Sequence, residues 1–230
     1  MTPNLPLLTL SNAQIAVEAM ATIAFALSGL IEAARRKLDA VGVCVVAGLA
    51  AFGGGTLRDV LLDRRPFFWV EHANWLWGLL ALCVVAMLFL RRRHLALTER
   101  AMQWPDALGL GLFCAGGTQI ALASGAPALV AVLMGVVTAA FGGVLRDIVC
   151  NEIPRAFSDH SPYAVCAFVG GWVLVGAQAA GLSSDAALLL GAGTATLLRV
   201  AAMVSGVTLP AWQIGEPRER DRTGDRDRGG

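Results

Sequence analysis

Apolar residues in this chain come in long uninterrupted runs, separated by short clusters of charged residues, proline and glycine. Seven runs stand out: Ala13 to Ala34, Asp39 to Leu62, Asn74 to Leu90, Pro105 to Ser124, Pro127 to Cys150, Tyr163 to Leu182 and Asp185 to Val204. Each is close to the roughly 20 residues a helix needs to cross a bilayer. Backbone groups in hydrocarbon must be paired within their own segment or in a closed barrel, and these runs lack the alternation of barrel strands, so helices are predicted. The expected fold is an all-α integral membrane protein with seven transmembrane helices. Residues 1–12 read as an N-terminal outer segment, and 216–230, EPRERDRTGDRDRGG, as a disordered cytoplasmic tail with nothing apolar to bury.

Composition narrows the function classes. The 230 residues are 56% apolar and only 15% charged, well below the roughly one quarter that wets a soluble surface. A formal net charge of +1 makes no electrostatic case for nucleic acid. Cys44, Cys83, Cys114, Cys150 and Cys166 lie in or beside apolar runs without C-x-x-C spacing and read as small hydrophobes, not as disulfides or metal ligands. His72, His94 and His160 fall in separate connections, so no metal site or resident cofactor is expected. No nucleophile elbow, Walker A segment or H-E-x-x-H is present, and GGGT lacks the G-K-S/T that a phosphate loop requires; an enzyme is not expected.

Basic residues are informative by position. No Lys or Arg precedes Arg35, so the first run reads as a retained span and not a cleaved signal. With the N-terminus outside, the cytoplasmic connections carry Arg35, Arg36, Lys37, Arg91, Arg92, Arg93, Arg100 and Arg155, while the outer ones carry only Arg64 and Arg65. The expected topology is N-terminus outside and C-terminus cytoplasmic, in the inner membrane of a bacterial host.

A near-duplication organises the chain. FGGGTLRDVLLDRRP from Phe52 and FGGVLRDIVCNEIP from Phe141 align at an offset of 88 residues, matching Gly54 and Gly55 with Gly142 and Gly143, Arg58 with Arg146, Asp59 with Asp147 and Pro66 with Pro154. The same offset pairs Glu18 with Asp106, Phe25 with Phe113 and Gly29 with Gly117. Residues 13–95 and 102–182 are therefore expected to form two three-helix repeats. Three spans per repeat force the second to enter from the opposite face, the inverted architecture of many transport proteins. A seventh helix, 185–204, stands outside the duplication.

Two readings fit the glycines Gly53, Gly54, Gly55, Gly142 and Gly143. They could break helices two and five and free carbonyls to coordinate a cation, or they could let helices pack closely. Arg58, Asp59, Arg146 and Asp147 are ionisable residues within apolar runs, expensive unless paired or wet. Sequence neighbours do not face each other on a helix, so each arginine is expected to pair with another helix or to line water, with Glu18 and Asp106 as candidate partners. Either a structural lock or a gate fits such pairs. Ser28, Thr56, Thr118, Gln119 and Thr138 are further candidates to line a wet path, although Ser and Thr often serve their own helix carbonyls. Arg199 is expected to snorkel to the interface from a small-residue face of Ala187, Gly191 and Ala195.

With both GGGTLRD and FGGVLRD at this spacing, the chain resembles the prokaryotic branch of the trimeric intracellular cation channel family, whose relatives also carry a glycine-transporter name. The resemblance covers the first span to about Val204 and implies a homotrimer with an ion pathway through each protomer, permeable to potassium and, less selectively, sodium. It places Gly53, Gly54, Gly55, Arg58, Asp59, Gly142, Gly143, Arg146 and Asp147 on that pathway, narrowed where glycines break helices two and five. Animal members carry basic residues on the fourth helix; Pro105 to Ser124 has none, so voltage and phosphoinositide control do not transfer. The resulting expectation is a passive monovalent-cation channel whose partners are membrane lipids and other copies of itself. A secondary transporter of a small amino acid such as glycine is the alternative.

Overall fold

The computed structural model describes residues 11–90, 99–158 and 160–210. Among these, all regular structure is helical: α1 (Asn12–Arg35), α2 (Ala40–Leu61), α3 (Phe68–Glu71), α4 (Asn74–Leu90), α5 (Glu99–Ala123), α6 (Ala128–Val149), α7 (Arg155–Ser158), α8 (Tyr163–Ala179) and α9 (Ser184–Ser205). Helices α1, α2, α5, α6 and α9 are long and apolar enough to cross a membrane, while α4 and α8 are apolar but only 17 residues long. Large apolar side chains such as Val45, Leu88, Leu133, Leu189 and Leu197 face outward, as a lipid-solvated surface requires. The protein is a multi-pass, all-helical integral membrane protein. The tail 216–230, residues 1–10, Arg91, Arg92, Arg93 and His94 lie outside the described residues.

Local chemistry sets the helix ends. Ser11, Asp39 and Ser183 cap α1, α2 and α9, their side chains accepting from the N–H groups of Gln14, Gly42 and Ala186. Helices α2 and α6 stop at matched left-handed residues, Asp63 (φ 48°) and Asn151 (φ 58°), types that tolerate this conformation. Helix α5 corrects the predicted start at Pro105: it begins at Glu99 and carries Pro105 inside, with Met102 buried one turn earlier to hold that turn in place. Helix α8 ends at Ala179, short of the predicted Leu182, and α3 and α7 are one-turn helices that hydropathy does not reveal.

Helix α5 is the most enclosed of the long helices and packs on α1, α6, α8 and α9. Contacts recur in matched pairs at the 88-residue offset. Phe25 of α1 stacks on its counterpart Phe113 of α5, ring centroids 5.5 Å apart. Gly54 lies against the Thr138 carbonyl, and the counterpart Gly142 against the Ala50 carbonyl, so α2 and α6 cross antiparallel. The unduplicated α9 seats in the groove between α5 and α8, where Gly111 and Gly170 admit its backbone. The equivalent groove between α1 and α4 has Ile23 and Leu82 at those positions and remains an open furrow of about 400 Å³.

Candidate functional site

Each arginine of the duplicated motif is almost fully buried between two acids. Arg58 Nη1 donates to Glu18 Oε1 at 2.7 Å, and its Nε donates to Asp59 Oδ1 at 2.9 Å. Arg146 repeats this: Nη1 to Asp106 Oδ1 at 2.6 Å and Nε to Asp147 Oδ1 at 2.9 Å. The expected partners Glu18 and Asp106 are thus found, each within its own half of the duplication. The expectation that sequence neighbours do not pair is corrected. Arginine is long enough to curl back, so its Nε meets the adjacent aspartate while its tip reaches the next helix.

Asp59 and Asp147 also reach forward. The free Asp59 Oδ2 accepts from the Phe68 N–H at 3.3 Å, and Asp147 Oδ2 from the Arg155 N–H at 3.0 Å, tying each trio to the one-turn helix that follows. Every trio therefore holds two carboxylates and one guanidinium, a net charge of −1, and at the Arg58 end Arg64 Nη1 lies 3.6 Å from Asp59 Oδ1 as well. Alignment of Ala50 with Gly142 and of Gly54 with Thr138 across the antiparallel crossing puts Arg146 level with residue 46 of α2. At 1.5 Å per residue, Arg58 and Arg146 stand about 18 Å apart along the helix axis.

The glycines do not break the helices. Both α2 and α6 run as continuous α-helix through Gly53, Gly54, Gly55, Gly142 and Gly143, which corrects the expected interruption. Their role is close approach: a Cβ on Gly54 or Gly142 would collide with a carbonyl oxygen of the opposite helix, one on Gly53 would lie 2.6 Å from Leu145 Cδ1, and one on Gly55 would lie 2.6 Å from the Phe68 ring. Gly143 differs, since a Cβ there meets nothing closer than 3.5 Å.

The remaining candidates separate. Ser28 joins the Arg146 trio, accepting from Arg146 Nη1. Thr138 instead donates to the Met134 carbonyl of its own helix at 2.6 Å, and Thr56 to the Phe52 carbonyl while accepting from Trp69 Nε1. Thr118 is fully buried in the α5 and α6 contact. Gln119 bonds across helices to Gln14, Nε2 to Oε1 at 3.3 Å. Arg199 does not snorkel. It is 4% exposed, donates to Ser161 Oγ at 2.6 Å and lies over the Tyr163 ring at 4.9 Å, because α9 is sunk into its groove with that face inward.

Each trio lines a cavity, and the two cavities are counterparts. Ile15, Glu18, Arg58, Asp59, Phe68 and Trp75 at one end correspond by offset to Gln103, Asp106, Arg146, Asp147, Ala156 and Tyr163 at the other. Their volumes differ sharply, about 270 Å³ beside Arg58 and about 10 Å³ beside Arg146, the latter barely room for one water. Arg155 and Arg199 enter the small cavity and not the large one. Arg155 is held by Met102 Sδ at 3.0 Å and by Glu32 Oε2 at 3.4 Å, and the fully buried Glu32 also bonds Arg35 at 2.7 Å and Arg36 at 3.0 Å. Sequence reasoning missed Glu32, Gln14 and Tyr163. An acid inside an apolar run was the available signal for Glu32, and Tyr163 is the chain's single tyrosine.

A family model described as glycine transporter matches twice, over residues 15–91 and 103–179, two segments related by the same 88-residue offset. A membrane protein of Vibrio cholerae is 37% identical over 202 residues, covering 86% of this chain and 82% of its own. The inner membrane protein YadS of Escherichia coli is 33% identical over 203 residues, covering 87% and 96%. Among solved structures, the trimeric intracellular cation channel orthologue from Rhodobacter sphaeroides matches with a TM-score of 0.80 at 33% identity, covering 86% of this chain and 100% of that one. A second, from work on conductance through these cation channels, matches at 0.77 and 28% identity, covering 88% and 98%. The chain belongs to the glycine transporter family of membrane proteins and has the fold of the trimeric intracellular cation channels.

Proposed function

We propose that this protein is a passive, potassium-permeable monovalent-cation channel with one pathway through each protomer of a homotrimer. The observation that carries the reading is the pair of acid–arginine–acid trios, each with an excess negative charge, at the two ends of one antiparallel helix crossing. An arginine near a cation path repels ions unless it is neutralised, and here each has two carboxylates against it. The solved channels that share the fold, one of them 33% identical, support the same conclusion. In this reading α1, α2, α4, α5, α6, α8 and α9 span the membrane as two inverted three-helix units and one added helix. The N-terminus lies outside, and the Arg58 end faces out while the Arg146 end faces the cytoplasm. The pathway runs beside the α2 and α6 crossing from one trio to the other and is narrowest where Gly54 and Gly142 bring the helices together. No ring of filter carbonyls is built at that point, so selectivity for potassium over sodium is modest. A bacterial host would carry the protein in its inner membrane.

A secondary transporter of a small amino acid such as glycine is the second reading, favoured by one observation. The counterpart cavities differ in volume as the two faces of an alternating-access carrier do, one open while the other is shut. Proteoliposomes separate the two. Potassium efflux down its gradient with no saturable glycine uptake supports the channel; saturable glycine uptake without potassium leak overturns it.

A further inference from the structure

Helix α9 lies outside the duplication, yet it delivers a charge to only one of the two duplicated cavities. We propose that Arg199 sets the unequal conductance of the two pore mouths, acting as a fixed positive charge that lowers cation occupancy at the Arg146 end. The inference rests on the channel reading.

The charge balance is the starting point. The Arg58 cavity holds Glu18, Asp59 and Glu71 against Arg58 and Arg64, an excess of one negative charge. At the Arg146 cavity Asp106 and Asp147 face Arg146, Arg155 and Arg199, and Arg155 shares the carboxylate of Glu32 with Arg35 and Arg36. Arg199 is a further cation set beside a trio of charge −1, which it offsets. Among the described residues no carboxylate lies within ion-pair distance of Arg199, whose contacts are the Ser161 hydroxyl and the face of Tyr163, and whose Nε has no hydrogen-bond partner. A guanidinium keeps its charge at every accessible pH. At 4% exposure it is held in place beside the adjoining cavity, where its field acts on an ion at the mouth and mobile ions there can screen it.

Tyr163 connects Arg199 to the trio. Its ring carries Arg199, while its hydroxyl sits near Asp106 and the open side of Gly143. The counterpart Trp75 at the other end offers no hydroxyl, and among the described residues no counterpart of α9 lies there. Of the groups that distinguish the two ends, Arg199 is the charged one with no carboxylate within ion-pair distance among the described residues.

Single-channel currents in symmetric potassium chloride test this directly. Wild-type channels should pass unequal currents at equal and opposite voltages in about 0.1 M salt, with the inequality shrinking at about 1 M as mobile ions screen the mouth. Arg199→Gln keeps a donor for Ser161 but removes the charge; it should abolish the inequality and raise the smaller current about threefold, the effect of one charge at a distance of several ångströms in a partly wet mouth. Arg199→Lys should preserve the inequality. Persistence of the inequality in Arg199→Gln, or its equal loss in Arg199→Lys, would overturn the inference while leaving the channel reading intact. Should Arg199→Gln fail to assemble, the wild-type salt series still decides, because an inequality that does not change with salt contradicts a fixed-charge origin. Wild-type bilayers without current would overturn the channel reading, and this inference with it.

Discussion

The Arg58 end and the Arg146 end begin from the same motif and finish in different states. Both hold an arginine between two buried acids, and both use the aspartate that follows the arginine to fasten a one-turn helix. Around this shared centre the neighbours diverge. Gly116 places no side chain beside Glu18, whereas its counterpart Ser28 fills the corresponding position and bonds Arg146. Residue 67 is a phenylalanine stacked outside the cavity, whereas its counterpart Arg155 reaches in and is fastened to Glu32. Helix α9 then adds Arg199. The ionic trio is thus the invariant part of the design, and closure depends on residues that the duplication did not preserve.

Breaking the invariant part should have the largest effect. Arg58→Ala and Arg146→Ala each strand two buried carboxylates, and a loss of about 3–5 kcal/mol is expected for removing one partner of a buried ionic cluster. Thermal unfolding in detergent should show both variants falling together; a large drop in only one would mean that the trios are not equivalent. Next come the crossing glycines. Gly54→Ala and Gly142→Ala force a methyl into a backbone carbonyl and should each lose about 1–3 kcal/mol, with Gly53→Ala milder because the obstacle is the flexible end of Leu145, and Gly143→Ala nearly silent. Equal loss at Gly143 would contradict the packing account and revive a conformational one.

Variants that touch one end sharpen the contrast. Glu32→Gln weakens the hold on Arg155, Arg35 and Arg36 at the Arg146 end alone, since the counterpart position is the buried Ile120. Its unfolding free energy should fall by about 1–2 kcal/mol, and channel open probability should rise as the small cavity loosens; unchanged gating would remove Glu32 from the closure. Asp147→Ala leaves Arg146 with Asp106 alone, giving the trio no net negative charge, and should reduce unitary conductance, a result checked by the same recordings. Thr138→Val is expected to have the smallest effect, within about 0.5 kcal/mol and with normal conductance, because its hydroxyl serves its own helix.

Much of this was legible in the chain. Long apolar runs located the helices, and the 88-residue offset marked Phe25 and Phe113 as equivalent positions, although their stacking on each other is visible only in the structure. Glu18 and Asp106 were identifiable as partners because an isolated acid in a span needs a cation. The glycines were ambiguous in principle. A helix break and a tight crossing both demand a missing side chain, and only the carbonyls of Ala50 and Thr138 at the contact decide between them. Pro105 misled because burial of Met102 outweighs the hydrogen bond that proline forfeits. Arg199 near a helix end looks like a snorkelling residue until the position of α9 is known, and that position depends on Gly111 and Gly170 in two other helices. The seating of an unduplicated helix on duplicated ones leaves no periodic trace.

Single-channel recording of the purified protein in a planar bilayer, under a potassium chloride gradient, tests the central claim most directly. The account predicts discrete current steps that reverse near the potassium equilibrium potential, because each arginine on the proposed pathway has two carboxylates against it. Reversal near the chloride potential, or a silent bilayer from protein that takes up glycine in liposomes, would contradict it.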